Sequence, residues 1–433
     1  MAHELKPGCT GRLPDCWLAR VSIDVRPSQD AEKFLATDQL VWFGEVTASD
    51  AALLRLGLPE DQRFVVDLPD GPEDLHSGIY GVRPMEMSLP GGAVVLIPGL
   101  TWVGVHPDVR RRGVLAAMMG DHLSRSHEAG SAISALHASE PGIYGRFGYG
   151  TAVLTHQVTI GRGTTFTAPQ LEDEVSGITT HVTTMSHPGV AERMRACQRA
   201  HAGDFPGTII GSSDFFSLMS TEPPEALRDK ERRRVLFARR DGKDVGFVGL
   251  RREHKWDNAR PSGTVTAGLF CGGPAARLAL ARRLVDIDLM GSTKLENIGI
   301  DDPLLGWVGG PRGTGDLQTW DSTWIRLVDV EAAWPLRTYE DDCDVVVEVE
   351  DRYAPWNAGR WRLSASGGEG KATRSDDDAD LTVDVNVLGA GFLGHGIGGR
   401  LRAGLVREHR TGAYAELARA MRTLVEPEPS IGF

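Results

Sequence analysis

From residue 113 onward, apolar side chains fall at three- and four-residue intervals: Leu115, Met118, Met119 and Leu123, with His122 among them. That spacing lines one face of a helix. Just before it, "GAVVLIPGLTWVGVHP" is a long apolar run rich in Val and Ile and broken by His-Pro. It predicts a strand, as do "QRFVVDLP" and "HSGIYGVRPMEMSLP". "DAEKFLATDQLVWFGE" predicts a helix with Phe34, Leu35 and Leu40 facing inward, and "SAISALHAS" predicts a buried strand followed by "PGIYGRFGYG". These segments make a first unit over residues 1–155.

A second unit, 156–318, has a looser version of the same order. "LTHQVTIGRG" is strand-like, and a helix is expected around "GVAERMRACQRAHAG". "RVLFARRDGKDVGFVGLRRE" predicts a hairpin, because Asp241-Gly242 separates two apolar runs. "ARLALARRLVDIDLM" predicts another amphipathic helix. The third unit, 319–433, runs through "STWIRLVDVEAAWPLRTY", "CDVVVEVEDRYAPWN", "GRWRLSAS" and "ADLTVDVNVLGAGFLGHG" as alternating strands. A helix at "AYAELARAMRTLV" and the tail "EPEPSIGF" follow. The fold class expected is α+β.

Composition narrows the function. Lys and Arg total 47 against 59 Asp and Glu, a formal charge of -12 over 433 residues. That balance disfavours general nucleic-acid binding and suits a cationic substrate. Five scattered cysteines (Cys9, Cys16, Cys197, Cys271 and Cys343) give no CxxC pair, which argues against a disulfide framework or a zinc knuckle. No HExxH spacing occurs, and no metal is expected. With no apolar signal core and no membrane-length apolar run, a cytoplasmic protein is expected.

Against this acidic background Arg110, Arg111 and Arg112 stand out, at a turn between a strand and the helix opening near Gly113. A helix start offers unpaired amides and about half a positive charge. Glycine there lets an anion approach the backbone without meeting a Cβ, so the arrangement fits a pyrophosphate. Three other signals carry less. "GAGFLG" at 389–394 formally matches GxGxxG but reads as small residues at a tight turn. "SDDDAD" reads as a solvated turn, and "KERRR" at 230–234 as an exposed helix end.

"VGVHPDVRRRGVL" resembles the acetyl-coenzyme A signature of GCN5-related N-acetyltransferases (GNAT), Arg/Gln-x-x-Gly-x-Gly/Ala after a V-x-V-x-P strand. Arg110 and Gly113 hold their places, and Leu115 stands where a small residue is usual. "ASEPGIYGRFGYG", "STWIRLVDVEAA" and "DADLTVDVNVLGAGFLG" narrow the resemblance to the Eis (enhanced intracellular survival) family over nearly the whole chain. The resemblance implies tandem GNAT-type acetyltransferase domains with mixed sheets and a C-terminal sterol-carrier-like domain whose end reaches the active site. It implies acetyl-CoA as co-substrate, held by backbone of Val103, Gly104 and Val105 along the pantetheine arm, by Arg110, Arg111, Arg112 and Gly113 at the pyrophosphate, and by Ser139.

It also implies Tyr144 as the general acid toward the leaving thiolate, and the carboxylate of the last residue, Phe433, as the base. Glu86 and Glu140 are the reserve bases. Trp42, Phe43, Met85 and Trp102 are candidates for the amine pocket. The acceptor would be a primary amine of an aminoglycoside-like or polyamine molecule or of a lysine, and the assembly a homo-oligomer, a hexamer in the family. The competing expectation is a lipid carrier or interaction protein using the sterol-carrier-like domain.

Overall fold

A computed structural model describes residues 23–43, 57–222 and 231–433. Cys9, Cys16, the end of the first expected helix and Lys230 lie outside them.

The first sheet is built from Arg26–Pro27 (β1), Arg63–Val66 (β2), Gly78–Ser88 (β3), Val94–Val105 (β4), Ile133–His137 (β5) and Gly150–Thr151 (β6). Ile209–Ile210 (β9) and Thr323–Leu327 (β17) complete it. Its order is β1-β2-β3-β4-β5-β17-β6, with β9 on the outer part of β3. Two strands thus come from outside residues 1–155. β17 inserts between β5 and β6, and β9 pairs Met87 and Glu86 of β3.

Helix α1 (Ala31–Trp42) begins at Asp30, whose carboxylate accepts from the Lys33 amide at 2.9 Å, and ends at Phe43 in the left-handed region. Phe34 and Leu35 are buried as expected, but Leu40 is 39% exposed. At about 100° per residue, position 40 lies some 240° round from position 34. Val41 returns to the buried face instead, and it packs where a side chain on Gly104 would have to go. Helix α2 (Val114–Glu128) buries Met118, Met119, His122 and Leu123 as its periodicity predicts.

The second sheet runs β16 (Gly315–Asp321), β7 (Leu154–Gly161), β15 (Met290–Ile298), β14 (Gly263–Gly272), β11 (Lys243–Glu253), β10 (Arg234–Arg240), β8 (Thr179–Thr184). The β10–β11 hairpin turns at Asp241 and Gly242, both with positive φ, as the Asp-Gly signal implies. Arg234 opens a strand, so "KERRR" is no helix end where it is described. A small ribbon, β12 (Trp256–Asp257) with β13 (Arg260–Pro261), stands apart.

The third sheet orders β20 (Glu369–Arg374), β19 (Gly359–Ser366), β18 (Cys343–Glu350), β21 (Leu381–Asp384) and β22 (Val406–Glu408). "ADLTVDVNVLGAGFLGHG" is not strand throughout. Asp384 accepts from the Asn386 amide at 2.9 Å and so caps helix α6 (Val385–Gly391). The elements between α2 and α6 that bear on the site are α3 (Pro141–Tyr144), α4 (Val190–His201) and α5 (Pro274–Val285).

Gly389 and Gly391 of "GAGFLG" therefore end a helix, and Gly394, at φ 102°, closes the tight turn that follows, its amide donating to the Gly391 carbonyl at 2.9 Å. The role of Gly389 is close approach. A Cβ on Gly389 would strike the Ile325 carbonyl, and one on Gly150 would strike the backbone of Asn386 and Ala390. Helix α6 lies directly on β6 and β17, which welds the third sheet's domain to the first.

Candidate active site

The site opens where β4 and β5 part. The two strands are parallel and share one pair, Gly99 with Ala135. Beyond it, β4 keeps β3 on one side while its other edge loses β5. A bulge sharpens the divergence: Ile79 and Gly81 face Gly104 and Thr101, so β4 carries one extra residue, and Trp102 takes φ 55°. The β5-facing backbone of Val103, Gly104 and Val105 has no strand partner among the described residues. Such an edge suits an extended amide-bearing chain.

The wedge runs to the mouth of α2. Pro107–Val109 form a single tight turn, Arg111 takes φ 65°, and Gly113, at φ 90°, caps the helix. The capping residue has no side chain to satisfy the first amides, so they stay open to an anion. Arg110 and Arg111 are exposed and form no ion pair among the described residues. Arg112 is held by Asp70 at 2.6 Å, turned away from a purely free cation. Ser139 is exposed at the same end.

Tyr144 closes the wall opposite β4. It is 7% exposed and shares an apolar cluster with Val103, Val105, Leu115 and Ile143. Its hydroxyl has no hydrogen-bond partner among the described residues. Burial, reinforced by Glu140, pushes its pKa up to about 12. Tyr149, edge-on to it with ring centres 6.3 Å apart, is the buried partner. Its hydroxyl meets Ser134 Oγ at 3.0 Å. Ser134 Oγ donates to the Pro98 carbonyl at 2.9 Å and is met by His122 Nε2 at 3.0 Å. With its one proton spent on Pro98, Ser134 must accept from both neighbours, which places a proton on His122 Nε2. Burial drives the His122 pKa down to about 3, so that ring stays neutral.

The chain's end lies at the apex. Residues Pro427–Ile431 are buried. The Phe433 ring stands edge-on to His137 at 4.8 Å, and its Cε2 would sit 2.9 Å from a Cβ on Gly99. Met85 fills the floor beside it. His137 was not singled out from the sequence. Its signal there is only its place at the end of a buried strand, five residues before Gly142 in "HASEPG". Burial holds its pKa below the ordinary histidine value, against carbonyls of Ile431 and Ser322.

The remaining candidates scatter. Trp102 packs on Phe34, ring centres 6.1 Å apart. Trp42 is 53% exposed at the end of α1, and Phe43 almost wholly exposed. Glu86 is locked by Arg195 at 2.9 Å and Arg199, both from α4, which ties up its lone pairs and makes it a poor base. Glu140 is exposed at the start of α3. A cavity of about 480 Å³, lined by Phe64, Tyr80, Ile97, Pro98, His122 and Arg125, lies beside the second half of α2, with Pro84 and Pro98 next in the chain to Met85 and Gly99 of the apex.

Comparison with known proteins agrees with this geometry. Residues 26–152 match the acetyltransferase (GNAT) domain, and 330–432 match the sterol carrier protein domain. An uncharacterized N-acetyltransferase of Streptomyces avermitilis is 35% identical, covering 95% of this chain and all of that protein. N-acetyltransferase Eis of Mycobacterium tuberculosis is 30% identical over 79% of this chain and 82% of its own. The crystal structure of Eis1 from Mycobacterium abscessus superposes with a TM-score of 0.78 at 27% identity, covering 95% of this chain and all of that one.

A splayed parallel strand pair, an arginine-flanked helix mouth and a matching domain model define an N-acetyltransferase of the GCN5-related class, for which acetyl-CoA is the implied co-substrate. Within that class, the chain belongs to the Eis family. Among the described residues, no group of three or more His, Cys, Asp or Glu is gathered as a metal site would need, and no helix is long and apolar enough to cross a membrane.

Proposed function

We propose that the enzyme passes the acetyl group of acetyl-CoA directly to a primary amine of a cationic molecule, aminoglycoside-like or polyamine, or of a lysine side chain, with both substrates bound together. The observation that carries this is the meeting of three things at one wedge: an unpaired β4 edge, an unpartnered tyrosine hydroxyl and the docked end of the chain.

Backbone of Val103, Gly104 and Val105 holds the pantetheine arm as a neighbouring strand would. Arg110, Arg111 and the amides after Gly113 meet the pyrophosphate, with Arg112 and Ser139 at the rim. Tyr144 keeps a proton facing the departing sulfur: a phenol raised to about 12 stays protonated at neutral pH. A thiol's pKa of about 8.5 makes full transfer to the thiolate uphill, so the hydroxyl acts by donating a hydrogen bond to the charge developing on sulfur as the C–S bond breaks. The Phe433 carboxylate takes the proton of the attacking amine, acting through position, since a carboxylate is a weak base. Met85 borders the amine side beside Phe433, while Trp102 and Trp42 lie toward α1 and stay the weaker candidates for it. A cytoplasmic homohexamer is the assembly the family resemblance favours. The carrier alternative gains no support, because the third domain's interior is filled by Trp334, Phe392, Leu393, Leu417 and Met421, all fully buried.

Replacing Tyr144 by Phe tests the reading. The expected result is kcat lower by roughly 10²- to 10⁴-fold with coenzyme A binding unchanged by calorimetry. Near-normal kcat removes Tyr144 from the chemistry.

A further inference from the structure

The tail that brings Phe433 to the wedge is held from a distance. Arg277, on α5 of the second domain, is almost completely buried. Its Nε donates to the Gly272 carbonyl at 2.9 Å, one terminal nitrogen meets Asp302 at 2.8 Å, and the other meets Glu428. The guanidinium also lies over the Phe205 ring, 4.8 Å from its centre. Around Glu428 the tail is stitched down on both sides. Glu426 N donates to Asp301 at 3.1 Å, Glu428 N to the Pro206 carbonyl at 2.9 Å, and Ser430 Oγ to the Ile209 carbonyl at 3.0 Å. Ile209 belongs to β9, which is paired to β3 of the catalytic sheet.

This places a buried cation five residues before Phe433. Glu426 also meets His395 at 2.9 Å and Arg422 at 3.7 Å, but those partners are partly exposed; the Arg277–Glu428 contact is the one charge-assisted contact of the tail, among the described residues, with both side chains buried. Removing Arg277 would leave Glu428 and Asp302 buried without their cation, whereas neutralising Glu428 leaves Arg277 still paired to Asp302. The second domain thus grips the segment that ends in the first domain's wedge.

We propose that Arg277 and Glu428 are positioning residues for acetyl transfer: they fix the tail so that Phe433 is held at the β4–β5 apex beside Gly99 and His137. This rests on Phe433 acting at the reaction centre, as proposed above. Neither residue touches substrate; both act through the last five residues of the chain.

The test is a double-mutant cycle on the full chain, using Glu428→Gln and deletion of Phe433. Glu428→Gln keeps the shape and leaves the Arg277–Asp302 pair intact, so it disturbs folding less than removing Arg277. Expected are kcat roughly tenfold lower in Glu428→Gln, coenzyme A affinity unchanged, and a double variant no worse than the Phe433 deletion alone. A role in stability alone would make the two losses multiply, and that outcome overturns the proposal. If deleting Phe433 alone leaves kcat unchanged, the chain-end base is wrong. If that deletion is costly but Glu428→Gln is silent, only the anchor is wrong. Carboxypeptidase release of Phe433 gives a second readout that does not depend on turnover: faster release in Glu428→Gln is expected, and an unchanged rate overturns the anchor.

Discussion

The molecule contains the same wedge twice, and only one of them is open. In the first domain, β4 and β5 run parallel around α2, and β4 bulges at Trp102 with φ 55°. In the second, β14 and β15 run parallel around α5. β14 bulges at Leu269 with φ 60°, and the pairing with β15 ends at Ala267. A short helix with proline in its first turn follows the second parallel strand in both: Pro141–Tyr144 after β5, Pro303–Trp307 after β15.

Side chains make the difference. Where the first wedge has Tyr144, fourth in its short helix, the second has Gly306. Where the first helix mouth has three arginines and an amide at Val114, the second has Gly272, Gly273 and Pro274, and proline has no N–H to offer an anion. The residue before the short helix is exposed Glu140 in one and Asp302 in the other, where it binds Arg277. The second cleft is filled by Arg277, Phe270, Ile298 and Trp307. One backbone plan is therefore open in one unit and packed in the other, depending on a few side chains at its mouth and wall.

The sharpest way to break this comparison is to count and weaken coenzyme A sites. Calorimetry is expected to give one site per chain; two would mean the second wedge is not sealed. Changing Arg110 and Arg111 together to Ala is expected to weaken that single site by roughly 10- to 100-fold and to flatten its salt dependence, because the lost contacts are exposed charges. An unchanged affinity would show that the helix amides suffice and that the arginine contrast between the domains is incidental.

The pH profile sharpens it further, with a smaller effect. As the proposed acid, Tyr144 would work in its protonated form, and burial raises its pKa to about 12. A raised pKa extends the protonated range upward, so ionisation of Tyr144 should cause no loss of kcat between neutral pH and about 10. His137 is shifted the other way, so it stays neutral over the same range. A basic limb near 10 that disappears in Tyr144→Phe would show that the hydroxyl is better solvated than the wedge implies.

How much of this could be read beforehand follows from how local each feature is. The α2 face, the Asp241-Gly242 hairpin and the arginine turn depend on neighbours a few residues apart, and the structure has them where the spacing puts them. Leu40 fell on the wrong side because a short helix with mixed residues leaves its phase ambiguous by one position, and Val41 took the place. The tight turn read at "GAGFLG" is there at Gly394, but the helix before it and the reason for Gly389, contact with Gly150 and Ile325, depend on residues far away in the chain. The insertion of β17 beside β5, and the pairing of Arg277 with Glu428 across 151 residues, leave no mark on local pattern at all. The repeat of the element order in the second unit was legible as a looser echo of the first; that side chains such as Arg277 and Trp307 seal its cleft was not.

The smallest effect concerns the bulge the two wedges share. Leu269 and Trp102 both sit in the left-handed region, where a Cβ costs about 1–2 kcal/mol. Glycine at either site removes that strain but loses about 0.5–1 kcal/mol of backbone entropy, plus whatever the side chain contributes by packing. Trp102 packs at a tilt against Phe34 under α1, so its removal should be clearly destabilising. Leu269 is only partly buried against the core, so Leu269→Gly should nearly cancel, shifting stability by no more than about 1 kcal/mol. Thermal unfolding of the two variants side by side checks this. If Leu269→Gly proves as damaging as Trp102→Gly, the sealed wedge is held open-framed by that leucine rather than by backbone, and the two bulges are alike in φ without being alike in what supports them.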